Sequence, residues 1–134
     1  KEFRDKDKTW HANALKRDFH RWVKWRDRNE DCISCGCSLT NLPSRSVHAS
    51  HYRPAGGNSA VKYHPWNVHL ACSVCNAHKS GNLVSYRAAL IDKIGLENVE
   101  WLESQTQTCT WDIDDLKLMR VGYRRILRDV MTEN

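Results

Sequence analysis

Four of the six cysteines stand in two Cys-x-x-Cys pairs, Cys32/Cys35 and Cys72/Cys75, and thiols in that spacing point first to a metal. A two-residue spacer lets one tight turn aim two sulfurs at one ion, and zinc takes four such ligands tetrahedrally. Gly36, directly after Cys35, suits the turn because without a Cβ it takes the positive φ such knuckles need. Redox-active pairs, or disulfides of a secreted chain, are the competing chemistry. Two matched pairs in one short sequence favour a single structural zinc, and no apolar secretory segment is present. Cys37 and Cys109 have no matching motif and read as ordinary small side chains rather than ligands.

Charge is distributed as unevenly as sulfur. Between positions 32 and 91 there is no Asp or Glu, whereas Arg45, Arg53, Lys62, Lys79, Arg87 and five of the seven histidines fall there. A carboxylate-free stretch of that kind can approach phosphates without like-charge repulsion. The alternative cause is the negative charge of a zinc tetrathiolate, which itself discourages nearby acids. The net charge of +5 and a pI of about 9.0 favour a polyanionic partner without naming one, and it is the carboxylate-free stretch that points to nucleic acid.

The elements that must position these groups follow from periodicity. At 134 residues the chain suits one domain with one core. It opens on Lys1 rather than Met, which suggests a fragment or processed product, and no run approaches the about 18 apolar residues of a membrane span. Residues 11–28 are predicted to be a helix, with Leu15, Phe19, Trp22 and Val23 on one face. The centre, 32–82, is turn-rich. Within it, 47–52 and 67–71 are predicted to be strands of a hairpin whose loop contains Pro54, Gly56, Gly57, Asn58 and Pro65. A helix is expected to start at 72–76, another to run over 84–94 to a stop at Gly95, and a short one over 96–102. Asp112 and Asp115 have capping-box spacing. The helix they open carries Leu116, Met119, Tyr123, Ile126, Leu127 and Val130 on a stripe that suits a core or a dimer seam.

Three runs together carry a resemblance: Cys32-Ile-Ser-Cys-Gly36; Ser50-His51-Tyr52-Arg53; and Asn67 through Cys72-Ser-Val-Cys75-Asn76 to Asn82. They resemble the NinG (Rap) family of phage recombination proteins and, more broadly, HNH or ββα-metal endonucleases with a four-cysteine zinc site. The resemblance implies an α+β fold, a small zinc-stabilised ββα-metal core at 32–82 flanked by helices at 11–28 and 84–134 within a single domain spanning 1–134. It also implies an endonuclease acting on D-loops and Holliday junctions in the host cytoplasm. By the same resemblance His51 is the general base, a role suited to imidazole with its pKa of about 6.5. Asn67 ties down the inter-strand loop, and Asn76 offers its amide oxygen to a catalytic Mg²⁺ or Mn²⁺. Lys79, Arg53 and Arg87 are candidates for contact with DNA phosphate.

One departure from the family pattern matters. Many HNH enzymes have Asp or His just before the base as a second metal ligand, and here Ser50 stands there, a poor ligand for Mg²⁺. His48, two residues earlier on a strand, projects to the same side and is the expected substitute. His78 points away from Asn76 on a helix. A non-catalytic zinc module binding branched DNA is the alternative that Ser50 favours. An RNA-binding ribbon stacking bases on Trp10, Trp25 or Trp66 is a third. Two symmetric cuts at a junction would favour a homodimer.

Overall fold

Asp7 caps the first helix, its Oδ1 accepting the Trp10 backbone N–H at 2.8 Å, so α1 (Lys8–Arg26) starts three residues before the apolar periodicity does. The computed structural model describes residues 7–54, 56, 59–77 and 79–132, with only the backbone at 59 and 79–81. Strands β1 (Val47–His51) and β2 (Val68–Cys72) follow, then α2 (Ser73–Ala77), α3 (Lys79–Ile94), α4 (Leu96–Ser104) and α5 (Ile113–Thr132). The architecture is α+β and mostly helical. Its two-stranded antiparallel sheet pairs Val47 with Cys72, Ser50 with His69 and His51 with Val68. Strand β2 begins one residue later than expected because Asn67 closes a 3-10 turn, Pro65–Asn67. Helix α3 begins five residues before the expected 84, through a polar segment with no apolar repeat to reveal it.

The chain divides into two units. In the unit Val23–Cys109, the core is Tyr52, Val61, Tyr86, Leu90, Val99 and Leu102, with Ile33, Trp66, Leu83, Ile91 and Ile94 packed on it. At its centre Asp27, 1% exposed, receives Arg26 Nε at 2.8 Å, Lys93 Nζ at 2.9 Å and the Leu70 N–H at 3.3 Å. Arg26 also donates to the carbonyls of Pro65 and Val68, at 2.7 and 2.6 Å. This hub fixes the end of α1 to the start of β2. Burial works against the charge on Asp27, yet Arg26 and Lys93 hold its carboxyl below the usual range. His69 lies in the same cluster, and burial, followed by the charges of Lys93 and Arg26, pushes its imidazole down to about 3. Gly95 takes φ +92°, donates to the Ile91 carbonyl at 2.8 Å, and separates α3 from α4.

The other unit combines α1 up to Trp22 with the segment from Thr110 onward. The expected capping box is present: Asp112 Oδ1 accepts the Asp115 N–H at 2.8 Å, and Asp115 Oδ2 accepts the Asp112 N–H at 3.2 Å. Phe19 and Trp22 pack on Tyr123 with ring centroids 4.8 and 5.4 Å apart, and Arg120 Nε donates to Asp18 Oδ2 at 2.6 Å. Of the α5 stripe, Leu116 and Leu127 are buried, whereas Ile126 is exposed. An open groove of about 510 Å³ is lined by Arg21, Arg124, Arg125 and Arg128 with Val121, Leu127 and Met131. No helix among the described residues is long and apolar enough to cross a membrane.

Candidate metal centre and His–Asn site

The first Cys-x-x-Cys pair folds as a knuckle. Gly36 takes φ +76°, its N–H donates to the Cys32 carbonyl, and the Cys32 N–H returns to the Cys37 carbonyl, each at 2.9 Å. Backbone N–H groups then face sulfur: those of Cys35 and Cys72 donate to Cys32 Sγ at 3.5 and 3.3 Å. Burial raises the Cys32 thiol, but the N–H groups of Cys35, Cys72 and Ser34 outweigh it and bring it down to about 7. Across the site, Cys35 Sγ lies 3.9 Å from Cys72 Sγ. Two sulfurs each about 2.3 Å from a tetrahedral zinc are about 3.8 Å apart, so the spacing fits one.

The group that closes on a single point is Cys32, Cys35, Cys37 and Cys72, with all sulfurs within 4.8 Å of one another. Such a group can hold a structural zinc. Cys37, read from sequence as a bystander, is therefore in the cluster, because the return strand of the knuckle sets residue 37 beside residue 32. The Cys-x-x-Cys-x-Cys spacing carried that signal. Cys75, expected as the fourth ligand, adjoins the same group: burial and the neighbouring thiols of Cys72, Cys35 and Cys32 push its thiol up. Its Sγ accepts Asn82 Nδ2 at 2.9 Å. Cys109 is exposed.

His51 ends β1 with its Nε2 2.9 Å from the Lys62 carbonyl. A carbonyl only accepts, so Nε2 carries the proton and the neutral ring keeps its lone pair on Nδ1. The loop holding Lys62 is itself held by Asn67, which is fully buried. Asn67 Oδ1 accepts the Arg53 N–H at 2.8 Å, while its Nδ2 donates to the carbonyls of Arg53 and Val61, each at 3.1 Å. Its own carbonyl accepts the Tyr52 N–H at 2.8 Å. One side chain thereby ties both ends of the loop next to His51.

His48 and Asn76 are brought together, with Asn76 Nδ2 3.0 Å from His48 Nδ1 and His48 Nε2 3.0 Å from the Arg45 carbonyl. The two expected ligands of a catalytic ion thus bond to each other. Strand alternation turns His51 to the face opposite His48. Ser50 is 5% exposed, pairs across the sheet with His69, and has its carbonyl bonded by the Tyr86 hydroxyl at 2.7 Å. A carboxylate at that position would be a buried charge.

Arg87, expected on phosphate, instead pairs with Glu103 through Nε at 2.8 Å and NH2 at 3.1 Å, and the Tyr52 hydroxyl donates to the same carboxylate. The acid came from outside the carboxylate-free stretch, which is why sequence proximity did not show it. Arg53 is half-buried. His78 and the side chain of Lys79 lie outside the described residues, as do loop positions Gly57 and Asn58. Of the candidate stacking rings, Trp10 is exposed with Arg120 over it at 5.6 Å, whereas Trp25 and Trp66 are half-buried, Trp25 covered by Arg28 at 4.1 Å and Trp66 meeting His64 and Trp101 at 5.0 and 5.7 Å.

A family model described as "Bacteriophage Lambda NinG protein" matches residues 1–133. Among curated relatives, protein ninG of Escherichia phage lambda is 39% identical over 109 residues, and those of Escherichia phage 933W and Salmonella phage P22 are 38% identical over the same length. Each alignment covers 81% of this chain and 52% of the relative, so the chain spans about half the length of the curated relatives it matches. No solved structure matches it.

Proposed function

Because the chain belongs to the NinG family of bacteriophage proteins, we propose that it is the catalytic domain of a metal-dependent HNH-type endonuclease that cuts branched recombination intermediates. The observation that carries this reading is the His51–Lys62 hydrogen bond backed by the Asn67 clamp. That arrangement fixes the ring and its tautomer, which is what a general base needs.

His51 takes a proton from water, the water oxygen bonds to phosphorus, and the P–O3′ bond breaks in line to leave a 5′-phosphate and a 3′-oxyanion, which takes a proton from solvent water to become the 3′-hydroxyl. Asn67 is a positioning residue, acting through the loop. The His48–Asn76 pair lies on the face of the strand opposite His51 and is not placed to bring an ion to the phosphate that His51 serves; a Mg²⁺ or Mn²⁺ carried in on the phosphate oxygens would neutralise charge on the leaving oxygen. Arg53 and Lys79 meet the DNA phosphates, and Arg87 stays with Glu103. The cysteine centre would hold a structural zinc, through the clustered Cys32, Cys35, Cys37 and Cys72, and has no part in the reaction. Two symmetric cuts at a junction call for two copies of the chain.

The test is incubation of labelled linear, D-loop and four-way DNA with the protein and Mg²⁺ or Mn²⁺. Metal-dependent cleavage of the branched substrates supports the reading. The second reading, a branched-DNA-binding module without catalysis, is favoured by the buried Ser50 and by the His48–Asn76 bond. It is adopted if the junctions are bound and left intact with every ion.

A further inference from the structure

A cluster of charge that the proposed reaction leaves unused lies in the unit built on α5. Arg124, Arg125 and Arg128 stand close together on that helix and are all exposed, and with Arg21 of α1 they line the open groove of about 510 Å³. Among the described residues, the ion pairs of this unit join Asp18 to Arg120 and, more loosely at 3.6 Å, to Arg21. Arg124, Arg125 and Arg128 enter none, although Asp129 follows Arg128 in sequence. Like charges three and four positions apart on a helix repel, so Arg128 beside Arg124 and Arg125 works against α5. The helix dipole does not account for the three, because its effect fades within the last turn and the last turn of α5 holds no basic residue. An anion in the groove does.

The shape of the site narrows what that anion is. Four guanidinium forks spread along an open groove suit a ligand whose charge repeats along its length better than one small ion. The same groove has an apolar lining, with Leu127 buried and Val121 and Met131 53% and 49% exposed. A phosphodiester chain matches both features, since apolar deoxyribose carbons separate its phosphates. We propose that the α1/α5 groove binds the phosphodiester backbone of duplex DNA, holding an arm of the branched substrate on a part of the chain other than the unit that carries His51. Contacts to phosphate position a duplex without reading its bases, which suits a substrate recognised by its branching. The inference rests on the reading that the chain acts on DNA.

The experiment measures binding of labelled linear duplex and four-way DNA over a range of salt concentrations, with no Mg²⁺ or Mn²⁺ added and with thermal melts alongside. Arg124→Gln, Arg125→Gln and Arg128→Gln together should weaken binding of both DNAs by about tenfold or more and lower the slope of log affinity against log salt by about 2–3 units, since each phosphate contact contributes about 0.9. The melt should hold, because these side chains enter no ion pair among the described residues. Lys8→Gln, Lys16→Gln and Arg17→Gln together remove the same charge from exposed positions of α1 outside the groove and should lower the slope by less than about one unit. If the groove triple does not fold, Arg125→Gln alone should lower the slope by about one unit. Equal effects in the two triples overturn the proposal, and so does an unchanged slope in the groove variants, which would assign the groove to another anion such as an acidic protein segment; both leave the proposed function standing. An unmodified chain that binds neither DNA overturns the two together.

Discussion

The unit around the cysteines and the unit built on α5 are stabilised in different ways. In Val23–Cys109 the positions that matter are fixed by buried polar groups with named partners: Asp27 under three donors, Asn67 with three side-chain hydrogen bonds, and Cys32 under two backbone N–H groups. In the unit with α5, an apolar stripe and the ion pairs of Asp18 with Arg120 and Arg21 carry the packing. Burial of apolar surface is tolerant of detail, whereas a buried polar group is costly the moment its partner goes. The two units should therefore respond differently to equivalent lesions.

The largest contrast is expected at the metal. Cys32→Ser or Cys72→Ser should lose zinc and most of the fold of Val23–Cys109 together, since binding at a structural zinc, about 10 kcal/mol or more in small domains, is folding energy. Zinc content and thermal melts check this, and a metal-free variant with an unchanged melt removes zinc from the account. The next effect compares two carboxylates. Asp27→Ala takes the common acceptor from Arg26, Lys93 and the buried Leu70 N–H and should cost about 3–5 kcal/mol, whereas Asp18→Ala, which releases Arg120 and the 55% exposed Arg21 and strands no backbone group, should cost only about 1 kcal/mol. Equal costs in denaturant titrations would erase the difference between the units.

Asn67→Ala leaves three backbone groups in the inter-strand loop without their partner and should cost about 2–3 kcal/mol. It should also lower any activity that depends on His51, whereas Asn13→Ala on the exposed face of α1 should change neither. Acid should separate the units again. His69 has a folded value near 3, below the 6.5 of the free side chain, so its neutral form is favoured by folding. Its contribution is complete above about pH 6.5 and is lost as pH falls from there toward 3. Asp27, with its folded value also lowered, adds a loss at the acid end. Stability measured from pH 7 to 4 should fall by up to one proton's slope, and His69→Gln should flatten it. The smallest effect is expected from Leu118→Ser on α5, 73% exposed, which should stay within about 0.5 kcal/mol.

These contrasts also explain what could be read from the sequence. Local chemistry was legible: positive φ at Gly36 and the helix stop at Gly95, the Asp112/Asp115 box, both strands to within one residue, and the approach of Cys72 to the Cys32/Cys35 turn. All but the last are set by residues a few positions apart. What stayed hidden depends on distant parts of the chain. Asp27 meets Lys93 across 66 positions, and Arg87 meets Glu103 between two helices, so neither partner can be inferred from spacing. Cys37 lies outside both Cys-x-x-Cys pairs, and only the turn of the knuckle, closed by the Cys32 N–H on the Cys37 carbonyl, sets it beside them. The start of α1 was missed because Asp7 signals it by a cap, ahead of the first apolar repeat.

The most direct measurement is cleavage of a labelled four-way junction, with Mg²⁺ and with Mn²⁺, by the unmodified chain and by His51→Ala, with junction affinity measured alongside. The expected result is metal-dependent cutting to 5′-phosphate ends that disappears in His51→Ala, while affinity stays within a few-fold, since a general base contributes to the transition state far more than to binding. Cutting by His51→Ala at the unmodified rate, or an unmodified chain that binds the junction and cuts it with neither ion, would contradict the account.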